Sequence, residues 1–157
     1  MTCILGLDPG VSGAIAFIFS DDPNRVAVED VPVVAGEISA ALLADRIKAF
    51  GPSIAMIERV SAMPGQGVSS MFGFGVSFGQ ARGVIGALNI PLHYVTPAKW
   101  KKHFRLSSDK EEARKLALHL FPSCSTSFAR KKDHGRAEAA LIARYGFETL
   151  FPASAAA

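Results

Sequence analysis

The order in which strand-like and helix-like segments follow one another limits this chain more than any other feature. Residues 2–8, 12–20 and 25–31 read as three consecutive short strands, the first two apolar and β-branched around the turn Asp8-Pro9-Gly10-Val11-Ser12-Gly13. Together they predict an antiparallel meander. Residues 36–50 carry apolar side chains at Ile38, Ala41, Leu42, Ala44 and Ile47, a helical spacing that Gly51-Pro52 stops. A strand at 53–58, a glycine-rich stretch at 63–67, a long apolar helix at 70–88 and a strand at 90–95 come next. Thr96-Pro97 opens a helix with proline at its first position. Ser108-Asp109-Lys110-Glu111 reads as a capping box for the following helix, which ends near Phe121-Pro122. A polar loop at 123–130 leads to a last helix over 133–145, with Gly146 as its stop signal. The order is β-β-β-α-β-α-β-α-α-α. After the meander the strands are separated by helices, which demands parallel crossovers, so the expected fold is α/β, a mixed sheet covered by helices.

The 157 residues fit one domain, expected over 1–150, with residues 151–157 as a frayed tail. A composition of 49% hydrophobic and 20% charged residues excludes a disordered tail, a collagen-like fibre and a coiled coil. No apolar run reaches the roughly 18 residues of a membrane helix, and the opening Ile4-Leu5-Gly6-Leu7 is cut by Asp8, so neither a signal peptide nor a membrane partner is expected. Cys3 and Cys124 give no metal spacing and no disulfide framework, which suits a reducing compartment and a cytoplasmic protein.

Charge is unevenly spread. Residues 1–98 hold five Lys and Arg against eight Asp and Glu, whereas residues 99–136 hold eleven against four, a local charge of +7. Such an excess in so short a stretch predicts a polyanionic partner, of which nucleic acid is the commonest, although a solvated basic face has the same composition.

Three carboxylates carry the chemical signal. Asp8 closes the apolar strand Cys3-Ile4-Leu5-Gly6-Leu7, and Glu58 closes Ile54-Ala55-Met56-Ile57. On neighbouring strands, about 4.8 Å apart, these side chains can share one or two divalent cations; alone, each is a carboxylate meeting solvent at a strand end. The third feature, Asp133-His134-Gly135-Arg136-Ala137-Glu138, opens the last helix ahead of Ala139-Ala140-Leu141-Ile142-Ala143. A carboxylate turned inward from so apolar a helix is costly unless it meets a metal or another partner.

Four motifs in chain order, Ile4-Leu5-Gly6-Leu7-Asp8-Pro9-Gly10, Ile57-Glu58, Gly79-Gln80-Ala81-Arg82-Gly83 and Ala137-Glu138-Ala139-Ala140-Leu141, resemble RuvC-type Holliday junction resolvases of the ribonuclease H-like superfamily. The resemblance implies a five-stranded mixed sheet ordered 3-2-1-4-5, flanked by helices, with Asp8 and Glu58 on adjacent strands. It also implies a metal-dependent homodimeric endonuclease, bacterial or from a phage-infected cell, that nicks two strands of a four-way DNA junction. By position, Asp8, Glu58 and Glu138 become catalytic metal ligands for Mg²⁺, with Mn²⁺ as a substitute and two ions per site. Phosphodiester hydrolysis needs an activated water and a stabilised leaving oxygen, and two hard cations held by carboxylates supply both.

The chain departs from that family pattern twice. Gly135, which has no side chain to ligate with, stands three residues before Glu138 where an Asp or His is common, so Asp133 or His134 must complete the site. His134 lies four residues from Glu138 on the same helix face and can deliver a proton, whereas Asp133 lies five away and is placed to cap the helix; hardness favours the Asp oxygen. Ser61 and Met63 occupy the region of the aromatic wedge, leaving Met63, Phe72 or Phe74 for junction opening, or the Phe residues for core and dimer packing. Lys99, Lys101, Lys102, Arg105, Lys110, Arg130, Lys131, Lys132 and Arg136 become phosphate contacts, while Trp100 is expected to bury its ring against the sheet. Two alternatives keep the fold: a junction-binding module without nuclease activity, and a nuclease acting on flaps or RNA–DNA hybrids. An actin-like ATPase, whose first strand also ends in an Asp-Gly turn, needs two large lobes that 157 residues cannot hold.

Overall fold

A computed structural model of the chain describes residues 1–152, so the tail expected at 151–157 lies, from residue 153 on, outside the described residues. Three strands, β1 (Cys3–Leu7), β2 (Ala14–Phe19) and β3 (Asp22–Asp30), form the antiparallel meander. A small hairpin of β4 (Val33–Val34) and β5 (Glu37–Ile38) precedes α1 (Ala40–Phe50). Then come β6 (Ile54–Glu58), α2 (Val68–Ala87), β7 (Leu92–Val95), α3 (Pro97–His103) and α4 (Lys110–Leu120). Short 3-10 turns at Pro122–Phe128 and Lys131–Asp133 lead into α5 (His134–Leu150). The main sheet runs β3-β2-β1-β6-β7, with β6 parallel to β1 and β7 parallel to β6. Without the hairpin this is the 3-2-1-4-5 order, a five-stranded mixed sheet of ribonuclease H-like architecture flanked by helices.

The two-residue alternation of β1 assigns its neighbours. Cys3, Leu5 and Leu7 join Ile15, Phe17, Ala55 and Ile57 in a core closed by Leu43 and Ile47 of α1 and by Ala81, Val84 and Ile85 of α2. The intervening residues face α5. A Cβ on Gly6 would lie 2.4 Å from the Ala143 nitrogen and 2.5 Å from the Ala139 oxygen, so the helix backbone rests directly on the strand. At its start, a Cβ on Gly135 would meet the Ser12 carbonyl oxygen at 2.6 Å, which ties the first turn of α5 to the loop after Asp8. Alanines 137, 139, 140 and 143 complete that face against Ala14, Ala16 and Ile18.

Several boundaries differ from the sequence reading, each for a local reason. The helix expected from residue 36 begins at Ala40, capped by the Ser39 side chain, because Ala35 and Gly36, at φ 51° and 80°, turn the chain back into the hairpin. Gly146 does not end the last helix, which continues to Leu150; a Cβ there would sit 3.3 Å from Ile4 and 3.4 Å from Met56, so the glycine serves close packing. The cap of α4 is Asp109, one residue later than read: its carboxylate accepts the Glu111 N–H, while Glu112 reaches back to the Ser107 N–H, so the reciprocal capping box expected from Ser108 to Glu111 does not form. The polar loop at 123–130 is a 3-10 turn anchored by buried Phe128.

Close approach at Gly6 sets a sharp contrast among the glycines. Gly6→Ala forces α5 off the sheet and lowers stability by about 3 kcal/mol or more, the cost of overpacking against backbone. Gly86→Ala, in open space on α2, raises it by about 0.5–1 kcal/mol by removing helix-interior glycine entropy. Urea unfolding midpoints of the two variants check both signs.

Candidate active site

Register brings the first two carboxylates together. Leu7 pairs with Ile57 across the parallel ladder of β1 and β6, so the next residues, Asp8 and Glu58, leave the same ends of adjacent strands. Both fall on the parity of Gly6 and Met56, the face covered by α5. On α5, Glu138 stands one residue before Ala139, whose carbonyl touches the Gly6 position, and on the side toward Asp8. Glu58 and Glu138 are buried, at 8% and 9% exposure. The Asp8 carboxyl lies within hydrogen-bonding reach of Glu138.

The electrostatics follow from that crowding. Burial, then the charges of Glu138 and Glu58, push the Asp8 carboxyl well above the usual carboxylate range, and the Lys110 ammonium opposes them. Burial also raises Glu58; the hydrogen bond from Trp100 works against it, Glu138 adds to it, and Lys101 and Lys110 pull it back. Three like charges held this close need either a cation or a shared proton. Among the described residues no group of three or more His, Cys, Asp or Glu side chains is arranged to hold a single metal ion. The donors still suit Mg²⁺, which takes one or two carboxylates and completes its octahedron with water and substrate phosphate. Asp8, Glu58 and Glu138 are three hard-oxygen donors, enough to offer such an ion one or two carboxylates, and burial together with the like charges of Glu138 and Glu58 keeps the Asp8 carboxyl raised in its absence.

The two candidates for a fourth ligand have separate fates. Asp133 is buried, but its carboxylate accepts the Arg130 backbone N–H at 2.8 Å and the Arg130 guanidinium at 2.8 Å, which holds it below the ordinary carboxylate range. It therefore caps the 3-10 turn ahead of α5 and gives the helix no side-chain cap, contrary to the capping role read from the sequence. His134, one helical turn before Glu138, is half-buried, and its Nδ1 is buried with no hydrogen-bond partner among the described residues. Gly135 between them is required by the Ser12 contact, so no ligand could occupy that position on this backbone.

The basic residues divide in the same way. Lys99, Lys102, Arg105, Lys110, Lys131 and Lys132 are exposed, with no ion pair among the described residues. Lys101, Lys102 and Arg105 line a groove of about 740 Å³ beside α3. Arg130 is engaged by Asp133, and Arg136 forms a two-pronged pair with Asp30 at 2.8 and 3.0 Å. One participant is not legible in the sequence. Trp100 is fully buried, as its apolar ring requires, and its indole N–H donates to Glu58 Oε2 at 2.7 Å. A single aromatic among lysines gives no hint of that polar partner.

The strand order and the helix packed across it make the fold ribonuclease H-like, and acidic residues stand at the ends of two central strands and on the last helix. No family model and no curated protein sequence matches the chain. Solved structures do match. Thermus thermophilus RuvC in complex with a Holliday junction substrate superposes with a TM-score of 0.61 at 15% identity, covering 96% of each chain. A structure of Thermus thermophilus RuvC gives 0.59 at 17% identity, over 96% of this chain and 97% of that one. The yeast mitochondrial Holliday junction resolvase Ydc2 gives 0.55 at 16% identity, over 90% and 77%. The chain has the RuvC fold across nearly its whole length. Among the described residues no helix is long and apolar enough to cross a membrane.

The raised Asp8 carboxyl fixes the sign of a pH effect. A carboxyl whose folded value exceeds its unfolded value contributes stability at low pH that is lost as pH rises through the folded value. Without divalent cation, Asp8→Asn therefore melts higher than the unaltered protein at neutral pH, by about 2–4 °C per kcal/mol of relieved strain. The gain fades toward about pH 3, below the ordinary carboxylate range, where Asp8 is protonated in the folded chain and largely so in the unfolded one. Thermal melts in a chelator between these limits measure it, and a pH-independent difference would remove the charge from the explanation.

Proposed function

We propose that this chain is a divalent-cation-dependent DNA endonuclease that resolves four-way junctions by hydrolysing one phosphodiester in each of two equivalent strands. The observation that carries the reading is the convergence of Asp8, Glu58 and Glu138 from β1, β6 and α5 in a nearly buried place, at a charge cost that a cation relieves. The neighbours support the substrate class: one is a RuvC in complex with a Holliday junction substrate, and another is a Holliday junction resolvase.

In this reading Asp8, Glu58 and Glu138 hold Mg²⁺, or Mn²⁺ in its place. The ions supply an activated water and stabilise the leaving oxygen. The protein's own contribution is placement. The β1 and β6 strand ends hold Asp8 and Glu58 in register, and the seat of α5 on Gly6 fixes Glu138 opposite them. His134, with an unsatisfied ring nitrogen one turn from Glu138, joins them as the residue able to carry a proton to the leaving oxygen, and Asp133 stays with Arg130. Lys99, Lys101, Lys102, Arg105, Lys110, Lys131 and Lys132 bind phosphates around the site. Such contacts position a branched duplex without reading its sequence.

Two equivalent cuts call for two equivalent sites, which a two-fold dimer supplies. Helix α2 offers the surface. Val68 and Phe72 stand 82% and 75% exposed along it, Met63 is 65% exposed just ahead of it, and the glycines at 73, 75, 79, 83 and 86 have open space where a side chain would be.

A cleavage assay comparing four-way junction, flap, duplex and RNA–DNA hybrid in Mg²⁺ tests the reading. The junction should be cut in paired nicks, and Asp8→Asn and Glu58→Gln should each lower turnover by roughly 10³-fold or more while junction binding survives, since each keeps shape but loses the charge that holds the cation. Turnover by either variant at the unaltered rate would contradict it. Tight junction binding without cleavage in Mg²⁺ or Mn²⁺ would select a binding module, and preferential cutting of hybrid or flap would select another nuclease of the same fold.

A further inference from the structure

Core packing explains where the ring of Trp100 lies, but not the partner its indole N–H takes. Its ring is fully buried between Met56, Val95 and α5 residues Leu141, Ile142 and Tyr145, so its indole N–H must find a partner inside the protein. The partner is one oxygen of a buried carboxylate, Glu58 Oε2 at 2.7 Å. A neutral amide or a backbone carbonyl would satisfy the indole without the cost of burying a charge. Glu58 Oε1 accepts no hydrogen bond among the described residues.

The link also runs outward. Glu58 pairs with Val95 in the β6–β7 ladder, the Arg59 N–H donates to the Val95 oxygen at 2.7 Å, and the next residue, Thr96, caps α3 through its side chain. One turn into α3 the chain returns to Glu58 through Trp100. The same helix carries exposed Lys99 and Lys102, and the Lys101 ammonium lies 5.4 Å over the indole ring. The helix that bears the phosphate-binding lysines is therefore bonded directly to a carboxylate of the cluster.

We propose that Trp100 is a positioning residue: it fixes one oxygen of Glu58 so that the other is presented to the divalent cation, and it sets that geometry by the seating of α3. This rests on the reading of Asp8, Glu58 and Glu138 as the cation site. The indole donates only, so it holds Glu58 as an acceptor in a single orientation. Loss of an outer partner that orients a metal ligand typically weakens metal affinity by 10–100-fold.

The test uses the full chain and reads cation binding directly. Trp100 is replaced by 3-benzothienylalanine, which keeps the ring's shape and exchanges the N–H for sulfur, and separately by Trp100→Phe. Mn²⁺ affinity is measured by calorimetry, and affinity for a four-way junction is measured in a chelator. The proposal expects Mn²⁺ to bind at least about tenfold more weakly to the benzothienyl protein, with junction affinity unchanged. Because the chain has one tryptophan, Mn²⁺ should also quench the fluorescence of the unaltered protein, and the quenching should vanish in Glu58→Gln. Equal Mn²⁺ affinity in the unaltered and benzothienyl proteins overturns the role of Trp100 and leaves the cation site standing. Quenching that persists in Glu58→Gln also overturns it, by placing the ion away from Glu58. Absence of Mn²⁺ binding to the unaltered protein overturns the cation site itself, and this proposal with it.

Discussion

Helix α5 lies on the central strand with no side chain between them, and that contact at Gly6 governs both the packing and the acidic site. With backbone against side-chain-free backbone, the helix has little freedom to slide or rotate. Its apolar face is therefore built from alanine, and its N-terminus is held at the loop after Asp8 by the second close approach, at Gly135. Glu138 is then forced toward the strand ends where Asp8 and Glu58 emerge. A carboxylate would not gather with two others near a helix buried to this extent by hydrophobic burial alone, because desolvation and like charge both oppose it. The packing that stabilises the fold is what sustains a cluster that electrostatics would disperse.

Around that acidic centre the second half of the chain is strongly basic, and the two halves meet. Lys101 and Lys110, read from the sequence as phosphate contacts, also temper the carboxylates from α3 and from the first turn of α4. Arg130 and Arg136 belong to the protein's own scaffold, pairing with Asp133 and Asp30. The surface left to a polyanion is thus narrower than the charge count suggests and lies along α3, the start of α4 and the lysines before α5.

Much of this was legible because strong local signals agreed with the global fold. Apolar strands ending in Asp8 and Glu58, the crossovers forced by intervening helices, and proline at the first turn of α3 each specify one outcome. What escaped was tertiary. Gly146 has the local chemistry of a helix stop, yet the need for Ile4 and Met56 to approach keeps it inside α5. Gly135 read as a missing ligand and is a packing requirement. Asp133 read as a helix cap or ligand, but its Arg130 partner comes from the turn before, which spacing along a helix cannot reveal. The burial of Trp100 follows from its apolar ring, whereas the acceptor for its N–H lies forty-two residues away in sequence. Pairings set by sheet topology are invisible to periodicity.

The proposed activity requires Asp8, Glu58 and Glu138 to form a cation site and not a proton-sharing cluster kept for structure. Anomalous diffraction from crystals equilibrated with Mn²⁺ at neutral pH decides between them most directly. The prediction is a strong anomalous peak within about 2.5 Å of an Asp8 oxygen and of an oxygen of Glu58 or Glu138, with water completing the shell. A map with no anomalous density at the cluster would contradict it.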